Sequence, residues 1–192
     1  MNTRLNLLSG PAASEAATPA APSATSTAAR APETIDPAVR LAQLYARPGF
    51  LLRRAHQISV AIFECACADI ELTPAQFGVL CVLSARPGID QASLARAVGL
   101  DKVTTLHLVR GLTTRGLVSR SPASEGRRSI ALSLTPRADA LLELADPCVE
   151  QAYERLMASL TLAQQEQLLS LLNELNTRLE SAARTAFQPI VL

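Results

Sequence analysis

The sequence has 192 residues, 48% of them apolar but only 3% aromatic, and its formal net charge is +1. That length suits one domain of ordinary size plus appendages, with a core built from Leu, Ala, Val and Ile, a composition that favours helices. The near-neutral total excludes a uniformly basic chain, and no apolar run approaches the ~20 residues a membrane span needs. Cys65, Cys67, Cys81 and Cys148 show neither CxxC nor zinc-ligand spacing, so they read as reduced cytoplasmic thiols.

Residues 1–35 are dominated by Ala, Pro, Ser and Thr. Such a segment buries too little to offset the entropy of ordering it, and a disordered tail is expected. Residues 36–72 read as helical. Asp36-Pro37 is a cap followed by a first-turn proline, and Leu41, Leu44 and Tyr45 form one side of a short helix ending near Pro48. A longer helix follows to about Asp69, its apolar stripe running through Leu51, Ala55, Ile58, Ile62 and Cys65 or Ala66.

Thr73-Pro74-Ala75-Gln76 carries a capping box with proline in the first turn, and opens a helix whose buried stripe is predicted at Phe77, Leu80, Cys81 and Leu83 or Ser84. Arg86-Pro87-Gly88 ends it. Ile89 suits a short pairing segment, and Asp90 can cap a helix over Gln91 to Val98 with Gly99 as its left-handed stop. Asp101 can cap a second helix running to about Arg115, with Leu108, Val109 and Leu112 turned inward. Val103, His107 and Arg110 then point the other way, flanked by Lys102 and Thr104. Gly116 stops that helix, and 117–120 and 129–134 alternate as strands around a turn carrying Arg127 and Arg128.

Thr135-Pro136 repeats the cap-plus-proline start and opens a long helix toward Met157, with Pro147 predicted to bend it without breaking it. Thr161 and Gln164 form a second capping box before a helix with Leu168, Leu171 or Leu172, Leu175 and Leu179 as a seam. That seam is either intramolecular core or, as favoured here, a homodimer surface.

Charge divides sharply along this plan. Gln91 to Arg137 holds eight cations against two anions, net +6, whereas Ala138 to Glu180 holds two against eight, net −6. A basic middle and an acidic end describe one phosphate-facing surface on a molecule that is not generally basic. A helix with a cationic, hydrogen-bonding face suits a duplex major groove, and a basic hairpin beside it can reach phosphate or the minor groove. Lys102, Thr104, His107 and Arg110 are the candidate groove contacts, Val103 can touch a thymine methyl, and Arg127 and Arg128 are the candidate wing contacts. Arg115 and Arg120 are expected to meet phosphate or solvent.

GLDKVTTLHLVRGLTTRGLVSR and GRRSIALSLTP resemble the winged helix-turn-helix of the MarR (multiple antibiotic resistance regulator) family. Arg128 matches that family's wing arginine. Where members carry an aspartate two positions earlier this chain has Gly126, with Glu125 adjacent. The resemblance runs from about Pro48 onward. It implies a mainly α, winged helix-turn-helix fold: a DNA-binding domain at 73–135 and a helical dimerisation domain formed by N-terminal helices at 36–72 and C-terminal helices at 136–187. It also implies a homodimer on double-stranded DNA and a small aromatic carboxylate effector seated between the lobes. For that effector Arg53, Arg54, His56, Gln57 and Ser59 are the candidates, able to ion-pair with a carboxylate and hydrogen-bond a ring substituent. This helix and the LTPAQF segment are further similar to repressors of aromatic-acid breakdown, including nicotinate catabolism.

Three other readings compete. A thiol-based redox sensor of this family keeps its reactive cysteine near the position of Phe50, where this chain has none, and all four thiols are expected to be buried and structural. A winged-helix protein-interaction module would lack steep salt dependence on duplex DNA. An enzyme has no local signature here: no nucleophile elbow, phosphate-binding glycine loop or metal-ligand set, and no cofactor is expected.

Overall fold

The computed structural model describes residues 35–122 and 130–191, and the chain divides into two compact units, residues 1–41 and 42–192. In the first, the described part is the start of α1 (Pro37–Ala46), where the Asp36 carboxylate accepts the Ala38 N–H at 2.8 Å. There follow α2 (Pro48–Ala66), a 3₁₀ turn (Ala68–Ile70), α3 (Pro74–Ala85), β1 (Ile89–Asp90), α4 (Gln91–Val98), α5 (Lys102–Thr114), β2 (Val118–Pro122), β3 (Ile130–Leu134), α6 (Pro136–Met157) and α7 (Leu162–Leu179). The expectation of a mainly helical winged helix-turn-helix holds.

The strands form one antiparallel sheet in the order β1-β3-β2. β3 is central, so Leu132 faces both Ile89 and Arg120 in register and is fully buried. Local signals start most of the helices. Capping boxes close at Thr73 with Gln76 and at Thr161 with Gln164, and Thr135 accepts the Ala138 N–H. α6 passes through Pro147 without interruption, as expected.

The core gathers Phe63, Cys67, Leu72, Val79, Leu80, Leu83, Leu94, Val109, Leu112, Leu117, Val118 and Leu132 around the small residues Ala138, Ala145, Val149 and Ala152 of α6. Four expectations need correction. In α2 the buried side is Phe63, with Cys67 just beyond the helix, whereas Leu51 and Ile58 are exposed. On a helix those two sets lie about 130° apart, and α6 covers only one of them. α2 also ends at Ala66, short of Asp69. In α3, Val79 takes the inward place expected for Cys81, which is exposed. α1 buries none of Leu41, Leu44 and Tyr45, which are exposed within the protomer; α7 fully buries no residue either, so the alternative of an intramolecular core for its leucines falls away.

Candidate nucleic-acid interface

α4 and α5 are joined by a turn that depends on one backbone conformation. Gly99 adopts φ +68°, the left-handed region that costs a residue with a Cβ, and so lets the chain reverse within three residues. Both helices start on aspartate. Asp90 accepts the Ala92 and Ser93 N–H groups at 2.9 and 3.0 Å and the Ser93 hydroxyl at 2.7 Å. Asp101 accepts those of Val103 and Thr104, both at 2.9 Å, together with the Thr104 hydroxyl. The Ser93 hydroxyl, then its N–H, hold the Asp90 carboxyl below the usual carboxylate range. Thr104 does the same for Asp101, again by hydroxyl first and N–H second.

The back of α5 is anchored by Val109 and Leu112 and by Thr105, a buried hydroxyl that donates to the Asp101 carbonyl at 2.8 Å. Thr105 was missed by the sequence reading, because a threonine within an amphipathic helix gives no sign that its hydroxyl is satisfied by the preceding turn. With that side fixed, Lys102, Val103, Thr104, His107 and Arg110 are all exposed, Val103 to 64%. The Thr104 hydroxyl proton is committed to Asp101, which leaves its lone pairs and methyl group for a ligand. Arg120 is exposed on β2. The wing candidates Arg127 and Arg128 lie outside the described residues.

Arg115 departs from expectation. Its guanidinium donates to the Glu71 and Ile70 carbonyls at 2.7 and 3.0 Å and reaches Gln76 Oε1 at 3.4 Å. It therefore ties the end of α5 to the 3₁₀ turn before α3 instead of facing phosphate or solvent. Glu71 there has φ +50°, so Arg115 also stabilises an unusual backbone.

The five effector candidates on α2 do not converge. Arg53 lies over the Phe50 ring, 4.9 Å from its centroid, and donates to Gln57 at 3.4 Å. Arg54 and Gln57 share a shallow 270 Å³ pocket with Ile58, Ala61, Ile62, Cys65 and Arg155 of α6. His56 is exposed and Ser59 half-buried, and neither lines that pocket. Arg155 could not be found from sequence, since nothing local reveals which turn of α6 crosses α2.

The thiols are not all buried as expected. Cys67 is, with desolvation and then the nearby Cys148 pushing its thiol up. Cys148 is half-buried and donates to the Leu144 carbonyl, whereas Cys65 and Cys81 are exposed. Among the described residues no helix is long and apolar enough to cross a membrane.

The architecture and the chain have known counterparts. The MarR family model matches residues 72–130, from the approach to α3 to the first residue of β3. The HTH-type transcriptional repressor NicR of Pseudomonas putida is 37% identical over 127 residues, 66% of this chain and 80% of that protein. A structure of the transcriptional repressor CouR bound to a 23-mer DNA duplex superposes with a TM-score of 0.65 at 32% identity, over 70% of this chain and 96% of that one. Bordetella bronchiseptica BpsR, from a study of the regulation of its DNA binding by 6-hydroxynicotinic acid, gives a TM-score of 0.65 at 32% identity, over 69% and 94%. Relatives above 30% identity over most of their own length, on the same winged helix-turn-helix, establish that the chain belongs to the MarR family of transcriptional regulators.

Proposed function

We propose that the protein is a dimeric repressor that occupies a pseudo-palindromic site on duplex DNA and is released by a small aromatic carboxylate of the hydroxylated nicotinate type. The observation that carries the duplex reading is the division of α5. Thr105, Val109 and Leu112 are fully buried while Lys102, Thr104, His107 and Arg110 stand exposed along the opposite side. Lys102 and Arg110 supply charge and bidentate donors, Thr104 and His107 shorter hydrogen bonds, and Val103 an apolar contact. Arg127 and Arg128 extend the surface to phosphate or the minor groove, and two copies place two reading helices about one helical turn apart.

The dimer is supported by α7, whose Leu168, Leu169, Leu171, Leu175 and Leu179 are all exposed in the protomer. For the effector, the support is the pocket in which Arg54 and Arg155 approach from two helices over an apolar floor, a layout suited to an anionic ring. The regulation of BpsR's DNA binding by 6-hydroxynicotinic acid points to the same chemistry in a relative.

Lys102 is the only lysine in the sequence, which gives a direct test. Acylation of Lys102, followed by mass spectrometry, is expected to be suppressed by duplex DNA at low salt. Arg110→Ala is expected to weaken binding and to reduce the salt slope by about one counterion. Unprotected Lys102 together with unchanged affinity in Arg110→Ala would remove α5 from the interface.

A further inference from the structure

The segment after α7 returns to the helix-turn-helix. A 3₁₀ turn (Glu180–Ala182) leads into extended chain, and the Phe187 N–H donates back to Glu180 Oε1 at 2.7 Å. The Phe187 ring lies directly over the α4–α5 turn: a Cβ placed on Gly99 would sit 3.4 Å from its Cδ2. Gln188 grips Arg96, three positions before Gly99, through two hydrogen bonds. Its N–H donates to the Arg96 carbonyl at 2.9 Å, and its Oε1 accepts from Arg96 Nε at 3.0 Å. Arg96 passes the contact on to the Ser93 hydroxyl at 3.0 Å, which in turn donates to the Asp90 cap. The remaining tail, Pro189 to Val191, walls a 560 Å³ hollow against Arg86, Pro87 and Gly88.

We propose that residues 183–191 act as a strap through which Phe187 and Gln188 position the DNA-reading helix. Gly99 sets the direction in which the chain leaves α4, and Asp101, two residues on, starts α5. A side chain resting on Gly99 therefore constrains the angle between the two helices. The run of contacts from Glu180 through Phe187 to Gly99 links the end of α7 to the start of α5 without passing through the core. Phe187 keeps 46% of its surface exposed and the bonds at Gln188 lie at the surface, so the strap can detach while the domain stays folded. Neither Phe187 nor Gln188 needs to touch DNA for this role, and both are positioning residues.

The inference rests on α5 reading duplex, so its test has one arm without DNA. The full chain is compared with Phe187→Ala, Gln188→Ala, Phe187→Leu and a truncation after Arg184, which keeps that arginine's charge. Amide exchange at Gly99 and Leu100 is expected to accelerate in the alanine variants and the truncation, with the melting temperature unchanged. Affinity for a duplex selected by the full chain from a random pool is expected to fall about three- to thirtyfold with the salt slope intact, and Phe187→Leu to recover most of it. Unchanged affinity on truncation overturns the proposal. So does a salt slope that falls with affinity, which marks direct phosphate contact, or tighter binding, which marks an inhibitory latch. If the full chain selects no duplex, the proposed function fails by itself, and unaltered exchange at Gly99 on truncation then decides against the strap.

Discussion

At Asp101 one carboxylate takes two backbone N–H groups and a hydroxyl at the start of the reading helix. Its folded pKa lies below the unfolded one. Its contribution to stability is therefore fully present above the unfolded value of about 3.9 and is lost as pH falls through the lower folded value. Asp101→Ala is expected to melt below the parent at neutral pH. The gap should close in acid, as the parent loses the same interaction; melting curves in a pH series would check this, and a gap constant down to about pH 2.5 would exclude the cap as its source. Caps of this kind were legible in the sequence because donor and acceptor are two or three residues apart, as Asp90, Thr73 and Thr161 also illustrate. Arg115 was not legible, because its carbonyl partners lie 44 and 45 positions away and carry no side-chain signature.

Among the elements, α2 and α7 set the limits of periodicity as evidence. An apolar stripe announces that some neighbour covers a face without saying which. α2 carries two such faces, one packed in the core at Phe63 and one left open at Leu51 and Ile58. The three- and four-residue spacing of Leu51, Ala55 and Ile58 marks an apolar face without telling which neighbour covers it. α7 is the simpler case, since Leu168, Leu171, Leu175 and Leu179 are all open and the capping box at Thr161 makes the helix on local grounds. Leu171→Glu with Leu175→Glu is expected to convert a dimer to a folded monomer. Sedimentation would measure the mass and circular dichroism the retained helicity; an unchanged mass would place the dimer contact elsewhere.

For the whole molecule, charge was the most informative quantity once divided along the chain: the basic stretch coincides with α4, α5 and the strands, and the acidic one with α6 and α7. The candidate effector pocket was less legible, since it forms where α2 crosses α6, with Arg54 and Arg155 far apart in sequence. If Arg54 and Arg155 hold a carboxylate there, a hydroxylated nicotinate is expected to raise the melting temperature of the parent and not of Arg54→Ala or Arg155→Ala. Reciprocity then requires that saturating duplex weaken the acid by the factor with which the acid weakens duplex, typically ~5 to 150-fold. Calorimetric titration with and without duplex measures both, and unequal factors would mean a third equilibrium.

The fully buried positions of α6 are Ala138, Ala145, Val149 and Ala152, none of them larger than valine, with Leu141 and Leu142 packed half-buried beside them. Bulk added at any of them has no room to turn aside in a close-packed interior and must push a neighbouring element outward. At Ala152, which borders Cys65 and Ala66 of α2, that would change the gap between Arg54 and Arg155 without altering either arginine. If that pocket holds the effector, its tuning is open to substitutions that never touch the bound molecule, and variants selected for a different inducer should be sought along this seam as readily as among the residues lining the pocket.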